Sequence, residues 1–163
     1  MMVRVLCLIL FVLAGMIRAG EWAESYRTAK SQAVKENKKI LIFFSGSDWC
    51  DAGRIMSRDL FRTKAFQELA SRKYVLYNAD FPKYTRLGQE REDRNRRLAS
   101  RYGIHRFPAV AVVEPKFGNL LVKHVGMTRA TPKQLLEKLS QIEKETANSY
   151  DPPKKPAPGK TAP

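Results

Sequence analysis

Cysteine and histidine are scarce in this chain, and their scarcity limits the chemistry it can carry. The 163 residues include two cysteines, Cys7 and Cys50, and two histidines, His105 and His124. These residues match no spacing of a zinc or iron site, so we expect neither a metal nor a cofactor. Glycine occupies position 53, where a second cysteine would complete Cys-x-x-Cys. Any redox chemistry at Cys50 must therefore depend on one sulfur.

Acidic residues are also few, and the charge balance favours anionic partners. The chain has 16 acidic residues against 30 basic ones, a formal net charge of +14. Such an excess attracts lipid headgroups, acidic envelope polymers and acidic client proteins, although weakly. Nucleic acid also binds basic chains, but no recognition motif for it is present, so we expect no such partner. The arginines between residues 86 and 101 are interleaved with acids, which is typical of a solvated helix face with ion pairs.

The longest apolar stretch lies at the beginning of the chain. It runs from Val5 to Ile17 after a basic start and is followed by the small pair Ala19-Gly20. This pattern over residues 1–20 predicts a secretory signal peptide, since a membrane span needs about 20 apolar residues. An uncleaved membrane anchor is the alternative, and Arg18 favours it. Cleavage would remove Cys7 and place the protein in the periplasm or outside the cell.

The end of the chain has little to bury. From Asp151 onward it consists mostly of proline, lysine and small residues, so we expect a disordered tail over residues 147–163. One domain, residues 21–146, remains between the two ends, and it contains no internal repeat.

Hydrophobic periodicity in this domain alternates between helical and strand spacing. It predicts helices over Trp22–Asn37, Ala52–Leu60, Thr63–Ser71, Gln89–Tyr102 and from Thr131, and strands over Ile40–Phe44, Tyr74–Ala79, Ala109–Val113 and Asn119–Val125. One helix followed by βαβαββα gives a mixed central sheet with helices on both faces, a three-layer α/β/α sandwich.

Cys50 lies between a predicted strand and the start of a helix. Binding and catalytic sites of open α/β sheets usually form at the carboxyl ends of the strands, where Cys50 lies. The unpaired N–H groups at the start of a helix also favour thiolate over thiol. Asp48 and Asp51 oppose a further negative charge, and Arg54 offsets one of them, so we expect a modestly activated, solvent-accessible thiol. Asp51 is alternatively an ordinary first-turn acid, and Cys50 an inert buried cysteine.

The segment Gly46-Ser47-Asp48-Trp49-Cys50 resembles the thioredoxin-like proteins, in particular secreted bacterial and disulfide-isomerase-like members with Gly-Ser-Asp-Trp-Cys-x-x-Cys. The segment Tyr102–Pro108 resembles the one that carries the family's cis-proline, and the likeness covers residues 22–146. It implies a thioredoxin-like fold with an additional N-terminal helix. It also implies a cis peptide before Pro108, whose backbone pairs with an extended substrate beside the cysteine, with Phe107 in the same wall.

Two departures from the family pattern concern turnover. Gly53 replaces the cysteine that releases a captured substrate, which leaves a backbone N–H and open space beside the sulfur. Phe44 stands where many members carry a buried acid that moves protons. We therefore expect Cys50 to form persistent mixed disulfides that need an external thiol.

Two further residues are candidates for supporting roles. Trp49 covers one side of the sulfur and contacts substrate, or else closes the edge of the core. His105 assists proton transfer beside Pro108, or else is an ordinary loop histidine.

Two functions follow from these residues. The first is an exported monothiol protein, monomeric, that exchanges or isomerises disulfides in exported cysteine-containing proteins or with a small thiol. The second is a non-catalytic binding module that retains the peptide groove without redox turnover.

Overall fold

The computed structural model describes residues 21–149. The predicted signal peptide and the predicted tail from residue 150 onward lie outside this range. Between residues 21 and 149, no helix combines the length and the apolar content needed to cross a membrane.

Five strands and five α-helices make up the described chain. The strands are β1 (Trp22–Ala23), β2 (Lys39–Ser45), β3 (Tyr74–Asp80), β4 (Ala109–Val113) and β5 (Leu120–Val125), and the helices are α1 (Tyr26–Lys35), α2 (Asp51–Met56), α3 (Lys64–Ala70), α4 (Gln89–Arg101) and α5 (Pro132–Ser149). A π-helical segment, Ser57–Phe61, continues α2. Helix α5 extends three residues beyond the predicted end of the domain at residue 146.

The strands form one mixed sheet in the order β1-β3-β2-β4-β5. Strands β1 and β2 run parallel to β3, whereas β4 runs antiparallel to β2 and to β5. Phe44 near the end of β2 pairs with Ala109 at the start of β4. The residues just before β4 therefore lie at the same edge of the sheet as the residues just after β2.

Strand β2 is buried on both faces, and its alternating side chains divide the core in two. Ile40, Ile42 and Phe44 face the side covered by α1 and α4. Leu41 and Phe43 face the side covered by α2, α3 and α5. The predicted three-layer sandwich with a mixed sheet and an additional N-terminal helix is confirmed.

The beginning of the domain differs from the prediction of a helix from Trp22. Trp22 and Ala23 instead pair with Leu76 and Tyr77 as a short edge strand. The helix starts only after Ser25, whose side chain accepts a hydrogen bond from the Thr28 N–H and caps it. The helical spacing of Trp22 with later residues was therefore misleading.

Helix α4 contains a buried polar residue among its arginines. Asn95 is fully buried; its Oδ1 accepts from the Tyr77 hydroxyl at 2.7 Å, and its Nδ2 donates to the Asp80 carbonyl at 2.8 Å. A buried amide with both ends bonded fixes the helix against the carboxyl end of β3. The rest of the helix carries the expected ion pairs, including Arg94 with Glu90 and Arg96 with Asp93.

Candidate thiol site

The loop between β2 and α2 places Cys50 at the start of a helix. The Gly46 carbonyl accepts from the N–H groups of Trp49, at 3.3 Å, and Cys50, at 2.8 Å, which closes a turn. Cys50 is the N-cap of α2, and its carbonyl accepts the first helical hydrogen bond, from Arg54 N–H at 2.9 Å. The N–H groups of residues 51–53 therefore have no acceptor within the helix.

A buried carboxylate holds this loop against β3. Asp80, 8% exposed, lies opposite Ser45 at the ends of β3 and β2. Its oxygens accept from the Ser45 hydroxyl at 2.9 Å, the Ser47 N–H at 2.9 Å, the Ser47 hydroxyl at 2.5 Å and the Phe81 N–H at 3.0 Å. Asp80 thus links both chain segments that leave this edge of the sheet, so it sets the position of the turn that precedes Cys50.

Gly53 is buried directly beside the sulfur. A Cβ built on Gly53 would lie 3.4 Å from Cys50 Sγ, 3.6 Å from Cys50 Cβ and 3.9 Å from the Gly46 nitrogen. These are ordinary contacts, so the site has room for a small side chain at position 53. The predicted space beside the sulfur is present, with room for a Cβ at position 53.

Cys50 is less accessible than expected, because only 8% of the residue is exposed. It nevertheless belongs to neither of the two core clusters. It lies between the loop that follows β2 and the start of α2. Cys50 is a buried free cysteine, so the expectation of a solvent-accessible thiol was wrong.

Aromatic residues form a wall at the same edge. The Phe107-Pro108 peptide is cis, as the resemblance implied, and Pro108 directly precedes β4. The Phe107 ring lies 5.9 Å from the Trp49 ring and 4.8 Å from the Phe81 ring, in edge-on and tilted geometry respectively. Trp49 is 43% exposed, so this wall presents aromatic surface to solvent.

Trp49 is fixed by two contacts. Its Nε1 donates to the Phe81 carbonyl at 2.7 Å. Its indole covers Gly46 so closely that a Cβ there would lie 2.4 Å from the ring. Only glycine fits under the indole, which explains a glycine in the middle of the thiol loop. Trp49 packs at the edge of the sheet and leaves part of its ring exposed, and its predicted contact with the sulfur and with substrate stays a prediction.

Asp48 holds a neighbouring loop. Its carboxylate accepts from the backbone N–H groups of Lys83 and Tyr84 at 2.8 Å and of Thr85 at 3.0 Å. Partial burial opposes the charge, but these donors outweigh it and keep the pKa of Asp48 below its ordinary value. These bonds occupy both oxygens of Asp48, and the expectation that this acid opposes charge on Cys50 stays a prediction.

Asp51 and Arg54 pair with each other on the exposed face of the helix. This arrangement agrees with the expectation that Arg54 offsets one acid, and with Asp51 as a first-turn acid. His105 is exposed and lies three residues before Pro108. Phe44 is fully buried, and its ring stacks on that of Phe81 at 6.5 Å.

Sequence reasoning missed Asp80, Ser47 and Phe81. The position of Asp80 in the sequence could have indicated its role. It ends a strand that runs parallel to the strand before Cys50, so Asp80 and the loop before Cys50 lie at the same edge of the sheet. Within residues 21–149, no three histidine, cysteine or acidic side chains are grouped in a way that could hold a metal.

The fold and this edge are those of a known family. The Thioredoxin-like domain family matches residues 26–143, so the chain belongs to it. The predicted resemblance to thioredoxin-like proteins is confirmed, while the Gly-Ser-Asp-Trp-Cys segment as the mark of a subgroup stays a prediction.

Two relatives are DsbH proteins. The chain is 28% identical over 94 residues to the disulfide bond reductase DsbH of Chlamydia pneumoniae, which covers 58% of this chain and 56% of that protein. The matched part is thus little more than half of that relative's length. A solved structure of a DsbH oxidoreductase superposes with a TM-score of 0.69 at 25% identity, covering 76% of this chain and 84% of that one. A thioredoxin from Thermus thermophilus gives 0.56 at 17% identity over 76% and 87%, a likeness of fold alone.

The two glycines of the loop predict opposite effects of one added methyl group. Gly53→Ala should raise the free energy of unfolding by about 0.5–1 kcal/mol, because alanine favours a helix and its Cβ makes ordinary contacts. Gly46→Ala should lower it by about 1–3 kcal/mol, because the indole must move and lose its bond to Phe81. Urea denaturation of both variants tests this, and equal effects of the two substitutions would contradict the described loop.

The hydrogen bonds of Asp48 predict a pH dependence of stability. A carboxyl whose pKa is lowered by folding contributes stability above its unfolded pKa, and that contribution is lost as the pH falls through the folded value. Asp48→Asn should therefore be less stable than the wild type at about pH 6, and the gap should shrink toward about pH 2. Urea denaturation across this range measures the gap, with Asp51→Asn as the matched control. A gap that stays constant would contradict the assignment.

Proposed function

We propose that this chain is an exported monothiol protein of thiol-disulfide exchange, with Cys50 as its nucleophile. The observation that carries the proposal is the position of Cys50: it begins a helix at the sheet edge that also bears the cis Phe107-Pro108 peptide. The likeness to DsbH, a disulfide bond reductase and oxidoreductase by name, supports the same chemistry.

The reaction is an exchange between the Cys50 thiolate and a substrate disulfide. The Cys50 thiolate attacks one sulfur of a substrate disulfide, the S–S bond of the substrate breaks, and a new S–S bond joins Cys50 to the attacked sulfur. The second substrate sulfur leaves as a thiolate and takes a proton from water. No electrons are gained or lost overall, so no further oxidant or reductant is needed for this step.

The start of α2 assists the attack. The N–H groups of residues 51–53 are not used by the helix, and their dipoles stabilise negative charge near its first turn. Gly53 has no side chain between its own N–H and the sulfur, and a Cβ built on it would lie 3.4 Å from Sγ. Asp51 adds opposing charge there, but its pairing with Arg54 offsets much of it.

The substrate side of the site is the aromatic wall of Trp49, Phe81 and Phe107. An extended cysteine-containing segment would lie along the backbone before Pro108, as the family resemblance implies, with its disulfide beside Cys50. Exported proteins that contain cysteine, or a small thiol, are the proposed partners, and the chain acts as a monomer. His105 lies near enough in sequence to contact the same segment.

The absence of a second thiol determines how the reaction ends. Cys50 is the free cysteine of the described residues, so no neighbouring sulfur within them releases the captured substrate. The mixed disulfide therefore persists until an external thiol attacks it.

A glutathione experiment tests this proposal, together with the role of position 53. The folded protein without residues 1–20 should form a one-to-one adduct with oxidised glutathione by intact mass, and Cys50→Ser should not. Gly53→Cys should resolve the adduct, because a Cβ at position 53 lies 3.6 Å from that of Cys50, within the range of about 3.5–4.5 Å seen in disulfides. Its product should be an internal disulfide and free glutathione.

Gly53→Ser is the matched control for that variant. Serine has nearly the shape of cysteine but cannot attack, so its glutathione adduct should persist like that of the wild type. A folded wild-type protein that forms no adduct would overturn the proposed chemistry. An adduct of Gly53→Cys that persists as long as that of Gly53→Ser would contradict the described geometry.

One observation favours the binding module as a second candidate. Cys50 is 8% exposed while Trp49 is 43% exposed, so aromatic surface is more available than the thiol. A binding module would retain its client when Cys50 is replaced by serine, whereas covalent exchange loses trapped clients with that substitution.

A further inference from the structure

Two adjoining cavities lie at the end of the sheet opposite to the thiol. Cys50 follows the carboxyl end of β2, whereas these cavities surround its amino end at Lys39 and the neighbouring start of β3 at Tyr74. Lys39 and Tyr74 pair across the sheet. The seven residues of β2 span roughly 20 Å at about 3.3 Å per residue, so the cavities are separate from the thiol site.

The cavities share one wall. Their volumes are about 460 and 480 Å³, within the range of roughly 300–1,000 Å³ that is typical of small-molecule sites. Both are lined by the same five residues, which we call the shared wall: Arg72, Lys73, Tyr74, Ser140 and Lys144. Three of these five residues are cations, and the other two carry hydroxyl groups.

The cations of the shared wall differ from the other charged residues around the cavities. Each acid that lines the cavities pairs with a lysine: Glu36 with Lys38, Glu137 with Lys133, and Glu143 with Lys39. Arg72, Lys73 and Lys144 form no ion pair with any residue of the described range 21–149. The three cations of the shared wall are therefore unpaired within this range, while the Glu143 carboxylate, paired with Lys39, also lies near Tyr74.

The shared wall also carries two hydroxyl groups. Tyr74 is 2% exposed, and its buried hydroxyl lies beside Ser140 and near the Glu143 carboxylate, with no hydrogen bond of standard geometry among residues 21–149. The Ser140 Oγ accepts from Lys73 Nζ at 3.3 Å, which leaves the serine hydrogen to donate to Tyr74 or to a ligand. A buried hydroxyl without a partner is costly, and an anionic oxygen would satisfy it.

We propose that the shared wall binds a phosphoryl group, carried by a small molecule or by a lipid headgroup. A phosphate monoester carries a charge of about −1.5 to −2 and three acceptor oxygens, which match three cations and two hydroxyl donors better than a singly charged carboxylate does. Leu69 and Leu136 line the first cavity beside the wall and provide an apolar surface for the carbon part of an ester.

Phosphate titration with matched triple variants tests the proposal. Inorganic phosphate is added to the protein of residues 21–163 while the backbone amide signals of Tyr74 and Ser140 are followed by NMR. The cleft variant combines Arg72→Gln, Lys73→Gln and Lys144→Gln. The control variant combines Lys30→Gln, Arg97→Gln and Lys116→Gln, which removes the same charge from exposed positions elsewhere.

The wild type and the control variant should show saturable shifts at Tyr74 and Ser140. The cleft variant should bind at least about tenfold more weakly, because it loses charge-assisted hydrogen bonds. Tyr74→Phe, which removes only the hydroxyl, should also weaken binding by up to about tenfold. Unsaturable shifts, or equal weakening in the cleft and control variants, would overturn the proposal.

Vesicles distinguish the two sources of the phosphoryl group. Binding to phosphatidylglycerol vesicles but not to phosphatidylcholine vesicles, lost in the cleft variant alone, supports a lipid headgroup. Saturable phosphate binding without vesicle binding supports a small phosphorylated molecule. Binding of a polyglutamate peptide that phosphate does not displace would overturn the phosphoryl assignment. Reactivity of Cys50 with glutathione should be the same in all variants, because the two sites lie at opposite ends of the sheet.

Discussion

The buried carboxylate of Asp80 determines the geometry of the thiol site. It accepts hydrogen bonds from Ser45, Ser47 and Phe81, and thereby joins the chain leaving β2 to the chain leaving β3. Phe81 in turn accepts from the Trp49 indole, and Asp48 accepts from the backbone N–H groups of residues 83–85 in the same loop. The loop before Cys50 is thus linked on both sides to a second loop, and its turn delivers the cysteine to the first position of a helix.

This chain has phenylalanine at position 44, where many family members have a buried acid, but it has another buried acid, Asp80, at the same edge of the sheet. Phe44 stacks on Phe81, and the buried acid, Asp80, lies instead at the end of the neighbouring strand. This carboxylate is engaged by four donors, so its evident role is to position the loop. At the same edge, a Cβ built on Gly53 would make only ordinary contacts with Cys50.

The sequence was sufficient for most of the fold because its local signals agreed with one another. The apolar run of β2, the threonine caps of α3 and α5, and Gly103 with its positive φ after α4 each pointed to the observed element. The start of the domain was mispredicted because a two-residue edge strand gains its stability from pairing with β3, which local spacing does not record. Asp80 and Asn95 were missed for a related reason: their partners are distant in sequence, and only the sheet brings them together.

We propose that folding makes Cys50 more reactive despite its low exposure, because it begins α2 at the edge of the sheet. The most direct test compares the second-order rate constant of Cys50 with a small aromatic disulfide in the native protein and in urea-unfolded protein at the same pH. The account predicts a larger rate constant for the native protein. A native rate constant well below the unfolded one would mean that burial dominates, and it would contradict the assignment of Cys50 as a nucleophile.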